Sequence, residues 1–215
     1  MRTEDSQVAP GTLEVVRTFL NTWRIPNDTR EPTDELASLE AMQRFYSTWF
    51  GDSGGDSGVF IVPQLVQKLR ADLRSILGTS DVLILSEWLA RQPVEAMLSS
   101  GAEGMPILSY RPARVQGCRL CAEVLALVVE AISRSTWMRL KACPDCQWVF
   151  YDHTKNKNKV WCLMTASGPQ GRSCGSISKV RSFRERQKAR VSTARHQTEP
   201  HYSGPQGERS RCGQQ

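Results

Sequence analysis

Several features that would mark a membrane or secreted protein are missing from this 215-residue sequence. The longest apolar run, LCAEVLALVVEAI at 120–132, is too short for a membrane span and carries two glutamates. The first residues, MRTEDSQVAPG, hold acids where a secretory signal needs a basic region followed by an apolar one. We therefore expect a soluble cytoplasmic protein with no membrane partner.

The sequence also lacks the groups on which most enzymes depend. It has only 3 histidines, none of them in a segment predicted to form the core, and neither a phosphate-binding loop nor a nucleophile elbow. It has no internal repeat and no heptad pattern. These absences argue against an enzyme, and they leave an oligomer possible without a sequence signal for it.

What the sequence does have is an uneven distribution of charge. Residues 1–140 hold 14 Lys or Arg and 17 Asp or Glu, whereas residues 141–190 hold 11 and 3, a net charge of +8. Residues 191–215 add +1, which brings the whole chain to +6. A local excess of cations is typical of a polyanion-binding surface, although a solvated charged face gives the same pattern.

Apolar periodicity predicts a mainly α-helical domain over residues 1–140. The predicted helices are LEVVRTFLNTW, about Asp34 to Phe50, Pro63 to Gly78, a short helix capped by Ser80 and ending near Arg91, and about Val115 to Thr136. The core residues expected at helical spacing are Leu13, Val16, Leu20 and Trp23 in the first helix, Leu36, Leu39, Met42, Tyr46 and Trp49 in the second, Leu65, Val66, Leu69, Leu73, Ile76 and Leu77 in the third, and Val124, Leu125, Val128, Val129 and Ile132 in the last. VEAMLSS and MPILSYRP, separated by GAEG, predict a short β-hairpin.

The cysteines predict a metal site, because clustered cysteines in a reducing compartment point to metal binding rather than to disulfides. Cys143 and Cys146 frame the turn CPDC, and Cys162 and Cys174 follow after 15 and 11 further residues. Zinc prefers a tetrahedron of thiolates, with two from a C-x2-C turn and two from elsewhere in the module. The spacing therefore predicts a structural zinc site with no position open to a catalytic water.

Two other groups compete with this set of ligands. Cys118 and Cys121 form a second C-x2-C pair, and spacing alone permits a site made from that pair with Cys143 and Cys146. Because Cys118 and Cys121 lie at i and i+3 in the most apolar predicted helix, we expect them to be core cysteines instead. His153 could replace one thiolate, but its loop of lysines and asparagines favours a contact with solvent or phosphate.

The segment SISKVRSFRERQKAR, residues 176–190, predicts a basic helix directly after the last zinc ligand. Lysines and arginines on such a helix can neutralise phosphates, and one or two arginines can reach guanine edges. Lysines of the preceding loop add a second line of contacts. The candidate nucleic-acid-binding residues are Lys155, Lys157, Lys159, Lys179, Arg181, Arg184, Arg186 and Lys188.

The aromatic residues of the cysteine segment have two interpretations. Trp148, Phe150, Tyr151 and Trp161 can stack on unpaired bases, as in single-strand binders. They can also cover the metal site, and we favour this second role because the module has no other core.

The stretch CPDCQWVFYD…NKNKVWCLM resembles the CGNR zinc-finger family of bacterial proteins. The residues that match the family motif in order are Cys143, Cys146, Trp148, Phe150, Asp152, Asn156, Trp161, Cys162 and Met164. The tetrapeptide that names the family reads CGSI here, with Ser176 and Ile177 in place of asparagine and arginine, and TASGPQGRS lengthens the gap before it. FLNT at 19–22, in a helix followed by a second helix ending in WF, is similar to the ABATE domain that accompanies this zinc module.

The resemblance implies a stress-induced transcription regulator with an ABATE-like domain over 1–140 that senses a small-molecule or protein signal. The expected fold is a mainly α domain with a small β-hairpin, a zinc module over 141–190 that ends in a basic helix, and a disordered tail over 191–215. The expected function is transcriptional regulation through duplex DNA. Charge and cysteines by themselves support only a polyanion-binding zinc module, so the alternative is a zinc-stabilised module that binds an acidic protein.

Overall fold

The computed structural model describes residues 7–26, 29–51, 60–79, 81–101, 104–113, 117–163 and 173–197, with side chains described as far as Lys188. Over those ranges the chain forms six α-helices, a short 3-10 helix and three two-stranded antiparallel sheets. In chain order the elements are α1 (Leu13–Asn21), β1 (Trp23–Arg24), β2 (Thr33–Asp34), α2 (Leu39–Phe50), α3 (Pro63–Ser75), α4 (Leu83–Arg91), β3 (Val94–Ser100), β4 (Pro106–Pro112), α5 (Arg119–Ser133), the 3-10 helix (Trp137–Arg139), β5 (Leu140–Ala142), β6 (Val149–Tyr151) and α6 (Cys174–Gln197). The predicted fold class, helix-rich with small hairpins and a four-cysteine cluster before a last helix, is confirmed.

The chain divides into two compact units, residues 1–176 and residues 177–215. The described part of the second unit is α6 from residue 177 to Gln197, so helix continues past the predicted start of the tail at 191. The predicted boundaries at 140 and 190 stay predictions. The predicted cap Ser80, the predicted helix start at Val115, the loop GDSGGDSG and the tail from 198 lie outside the described residues.

The core of the first unit is built around α1, which packs against α3, α5 and β6. Val16 and Leu20 are fully buried, as their helical spacing predicts, and Phe19 beside them is fully buried as well. Burying each such side chain contributes about 1.5–3 kcal/mol. Val149 and Tyr151 of β6 belong to the same buried cluster, so the core that the helices build also carries the cysteine segment.

The second helix begins later than predicted. Thr33 and Asp34 pair with β1 as an extended strand, because the Asp34 carboxylate accepts two hydrogen bonds from the guanidinium of Arg70, at 2.7 and 2.5 Å. Helix α2 starts after Ser38, whose hydroxyl accepts a hydrogen bond from the backbone N–H of Ala41. A serine in this position satisfies an N–H that has no partner inside the helix, and it therefore sets the start.

Some residues expected in the core are not there. Leu39, Trp49 and Ile132 are exposed, and Trp23, Leu65, Leu77 and Val129 are only half-buried. Leu39 and Ile132 lie in the end turns of their helices, and periodicity identifies a helix face without fixing how far neighbouring elements cover it. Trp23 lies on β1 rather than on the face of α1.

The predicted hairpin is confirmed as β3 paired with β4, with Leu98 opposite Leu108. The chain reverses through its GAEG segment, of which residues 102–103 lie outside the described ranges. Helix α5 packs against both strands. In the described part of the chain, no helix combines the length and apolar character that crossing a membrane requires.

Candidate metal centre

The four predicted ligands come from three places in the chain. Cys143 and Cys146 lie in the tight reversal between β5 and β6, Cys162 follows a long loop, and Cys174 is the first residue of α6. The reversal is closed by hydrogen bonds from the Cys143 N–H to the Trp148 carbonyl and from the Gln147 N–H to the Cys143 carbonyl, each 2.9 Å long. We call residues 143–149 the zinc turn.

The sulfur atoms of Cys143, Cys146, Cys162 and Cys174 all lie within 4.8 Å of one another, and all four side chains are buried. The Sγ atoms of Cys146 and Cys162 are 3.5 Å apart, and those of Cys162 and Cys174 are 3.7 Å apart. A zinc tetrahedron with bonds of about 2.3 Å has sulfur–sulfur edges of about 3.8 Å. The donor set therefore fits zinc, and no other cluster of three or more such ligands occurs among the described residues.

The thiols strongly influence one another's ionisation. Hydrogen bonds from the Cys146 and Cys162 thiols lower the pKa of Cys143. The same hydrogen bonds raise the pKa of the two donors, Cys146 and Cys162, and burial raises the pKa of Cys174. Because zinc binds the thiolate form, metal uptake must release thiol protons, and zinc affinity must fall as the pH falls.

Aromatic side chains cover the cluster. Phe150 is fully buried against the thiols, and Trp148, Trp161 and Leu163 pack around it in half-buried positions. Tyr151 is buried in the main core. Phe150 and Tyr151 are too buried to stack on a base, and the metal-covering interpretation holds for Phe150, whereas Tyr151 packs in the main core instead.

The competing ligands lie elsewhere. Cys118 and Cys121 are fully buried in the core of the first unit, outside the four-thiol cluster, as expected for core cysteines. His153 is exposed, with its Nε2 atom 2.8 Å from the Val8 carbonyl oxygen and its ring edge-on to Tyr151. It does not replace a thiolate in the cluster.

Sequence reasoning missed Lys141, which organises the loop between the zinc turn and Cys162. Its Nζ donates hydrogen bonds to the buried Asp152 carboxylate (2.7 Å) and to the carbonyls of Lys157 (2.5 Å) and Lys159 (3.1 Å). Burial by itself raises the pKa of Asp152, but hydrogen bonds from Lys141, Thr154 and the Lys159 N–H outweigh it and hold that pKa at about 2. Because these partners lie 11 to 18 residues from Lys141, no local pattern points to them.

The predicted nucleic-acid contacts fall in both units. In the first unit, Lys155 and Lys157 are exposed, while Lys159 is half-buried with its Nζ 5.1 Å from the centre of the Phe150 ring. In the second unit, the exposed cations of α6 are Lys179, Arg181, Arg184, Arg186 and Lys188. Their role in binding nucleic acid stays a prediction.

Comparison with protein-family models gives a match to the family described as CGNR zinc finger over residues 139–187, less than a quarter of the chain. Comparison with curated proteins gives no significant match. The matched segment contains all four clustered cysteines. The match and the four convergent thiols together support the CGNR zinc finger family for residues 139–187 and identify this segment as a zinc-binding module.

Proposed function

We propose that this protein is a DNA-binding transcriptional regulator in which the zinc module and α6 contact the phosphates of duplex DNA. The observation that carries the proposal is the asymmetry between exposed cations and buried acids in residues 141–190. Three acids occur in this segment, and two of them are enclosed. The Asp145 side chain is 6% exposed and lies 3.6 Å from Arg30, and the Asp152 side chain is 0% exposed and is paired with Lys141.

Most of the cations of the same segment face solvent. Lys155 and Lys157 are exposed in the loop, and the five predicted contact residues of α6 are exposed along the helix. Glu185 is the one acid of the segment on the exposed surface of the described residues. Among the described residues of this segment, seven exposed cations therefore face one exposed acid, an excess that favours a polyanion.

Duplex DNA is preferred over single strands because most described aromatics of the module are covered. Phe150 and Tyr151 are buried, and the Trp148 ring centre lies 5.8 and 5.9 Å from the guanidinium carbons of Arg17 and Arg24. Phe183 is exposed, but many exposed cations beside one exposed ring suit a regular phosphate backbone better than splayed bases. The zinc contributes by fixing the turn, and its four thiolate ligands leave no position for a catalytic water, so we propose no enzymatic role.

The finer parts of the proposal rest on resemblance. The similarity of FLNT to the ABATE domain supports a sensor role for the helices before the module, with a small molecule or a protein as the signal and a stress response in a bacterial cytoplasm as the setting. The second candidate function is a zinc-stabilised module that binds an acidic protein. It uses the same exposed cations and differs in its response to DNA.

The test is fluorescence anisotropy of the full-length protein on a random-sequence DNA duplex at several salt concentrations, with and without a zinc chelator. We expect the logarithm of the binding constant to fall linearly with the logarithm of the salt concentration, with a slope of about 0.9 for each phosphate contact. We also expect the chelator to abolish binding. A variant with Arg181, Arg184 and Lys188 changed to glutamine is expected to bind more weakly with a shallower salt slope. Absence of binding at low salt would overturn the proposal and favour the acidic protein partner.

A further inference from the structure

The zinc turn is held from outside by the helices that precede it in the chain. Asn21 forms two hydrogen bonds with the backbone of Val149, donating at 2.8 Å and accepting at 2.7 Å. Further contacts are the Ile25 N–H to the Cys146 carbonyl at 3.4 Å, Arg30 to the Asp145 carbonyl at 2.7 Å and Arg74 to the Gln147 carbonyl at 2.5 Å. We call Asn21, Ile25, Arg30 and Arg74 the clasp.

Arg74 is the member of the clasp that joins the turn to two other elements. One guanidinium nitrogen donates to the carbonyl of Leu20 at 2.7 Å and to that of Trp23 at 3.3 Å, and the other donates to Gln147. The guanidinium also lies 4.8 Å from the centre of the Trp23 ring. A planar guanidinium holds its donors in a fixed geometry on separate nitrogens, whereas a lysine ammonium offers all of its donors from a single flexible point.

The site of this contact matters for the metal. Gln147 directly follows the ligand Cys146 and has a φ of 60°, a left-handed conformation that is uncommon for a residue with a side chain. The hydrogen bond from Arg74 to its carbonyl stabilises that conformation at the point where the chain leaves the ligand pair. The position of the Cys146 sulfur therefore depends on a residue of α3.

The positive charge of Arg74 is a second reason for a role at the zinc centre. Four thiolates outweigh the two positive charges of zinc, so a loaded site carries a net negative charge that a nearby cation stabilises. Burial and then the neighbouring Arg70 lower the pKa of Arg74 to about 10, and a charged Cys146 acts in the opposite direction. Arg74 therefore stays protonated near neutral pH, with its guanidinium hydrogen-bonded to the carbonyl of the residue that follows Cys146.

We propose that Arg74 is a positioning residue of the zinc centre, which fixes the zinc turn through Gln147 and offsets the charge of the thiolate cluster. Zinc affinity and the contacts of the clasp are then coupled. By linkage, zinc loading stabilises the contacts of the clasp to the same extent that the clasp stabilises zinc binding. This inference rests on zinc binding and does not depend on a DNA partner.

The test measures the zinc dissociation constant by competition with a chromophoric chelator, in the full-length protein and in Arg74→Met, Arg74→Lys and Val66→Ala. We expect Arg74→Met to raise the dissociation constant about 10- to 100-fold. Arg74→Lys, which keeps the charge but places its donors on a single nitrogen, should lose less. Val66→Ala removes buried packing from the same helix without removing a clasp contact, and it should destabilise the fold while keeping the wild-type zinc affinity.

Cobalt substitution provides a second readout, because its absorption spectrum reports tetrahedral thiolate geometry independently of fold stability. A shifted cobalt spectrum in Arg74→Met supports positioning, and a wild-type dissociation constant in that variant overturns the proposal. If Arg74→Met does not fold, Arg30→Met replaces it, since the Arg30 side chain is 37% exposed and contacts the same turn. Unchanged zinc affinity in both Arg30→Met and Arg74→Lys would then overturn the proposal.

Discussion

The sulfur of Cys162 has two close neighbours, Cys146 at 3.5 Å and Cys174 at 3.7 Å, whereas Cys118 lies in the apolar core outside that cluster. We expect Cys162→Ser to weaken zinc binding about a hundredfold or more, because one of four ligands supplies about a quarter of a binding free energy of ~10–16 kcal/mol. Cys118→Ala is the matched control and should keep its zinc. Zinc content after dialysis against a weak chelator distinguishes them, and loss of zinc from Cys118→Ala would contradict this assignment of ligands.

Asp152 is the residue whose charge state matters most for the stability of the module. Its pKa of about 2 lies below the ordinary value of 3.8, so the ionised carboxylate stabilises the folded state by about 2 kcal/mol at neutral pH. Because the folded-state pKa is depressed, this contribution is complete above about pH 4 and is lost as the pH falls towards about 2. We expect Asp152→Asn to lower the free energy of unfolding of the zinc-loaded protein by about that amount.

Urea denaturation near neutral pH with saturating zinc measures this loss. Asp81→Asn is the control, because Asp81 is exposed and its side-chain oxygen, which accepts from the Leu83 N–H, is retained in asparagine. Equal stability of Asp152→Asn and the wild type would show that the buried pair with Lys141 adds nothing.

At the scale of elements, hydrogen bonds from Lys141 and Asp152 hold the backbone of the loop at 154–160. Lys141 and Asp152 engage the loop backbone at Lys157 and Lys159, which leaves the side chains of Lys155 and Lys157 exposed. Because the backbone of this loop is already held in place, binding a partner does not incur the free-energy cost of ordering the loop.

This loop gives a prediction of its own for DNA binding. The double variant Lys155→Gln, Lys157→Gln should reduce the salt slope of binding by about 2, since each phosphate contact contributes about 0.9. Lys68→Gln, a change at an exposed lysine of α3, is the control and should leave the slope unchanged. Anisotropy titrations at several salt concentrations provide both slopes, and an unaltered slope in the double variant would exclude the loop from the DNA contact.

For the molecule as a whole, the zinc turn and the helices of the first unit share one core, because Val149 and Tyr151 are buried with Phe19 and Leu20. Removing zinc should therefore lower the unfolding temperature of the helices by about 10 °C or more, and not only that of the cysteine segment. Far-UV circular dichroism with and without chelator measures this, since the zinc turn itself contributes no helix. A helical transition that is insensitive to chelator would contradict the shared core.

Features set by local sequence were predictable, whereas features set by contacts between distant residues were not. Helix α1 and the β3–β4 hairpin were predictable, because the spacing of Val16 and Leu20 and the segment GAEG between VEAMLSS and MPILSYRP are local patterns. The strand at Thr33–Asp34, where the helix was predicted to begin, was not, since Asp34 bonds to Arg70, which lies 36 residues away. The exposure of Ile132 likewise depends on what covers the end of its helix, which periodicity does not contain.

The sequence by itself determined the chemistry of this protein: four cysteines at zinc spacing, and a basic segment with few acids. These features depend only on residue type and on distance along the chain. The tertiary structure alone decided that Asp145 and Asp152 are buried beside cations, and that Asn21 holds Val149 across 128 residues. Such contacts follow from the packing of a whole core, in which every element limits the positions of the others, and so no single segment specifies them.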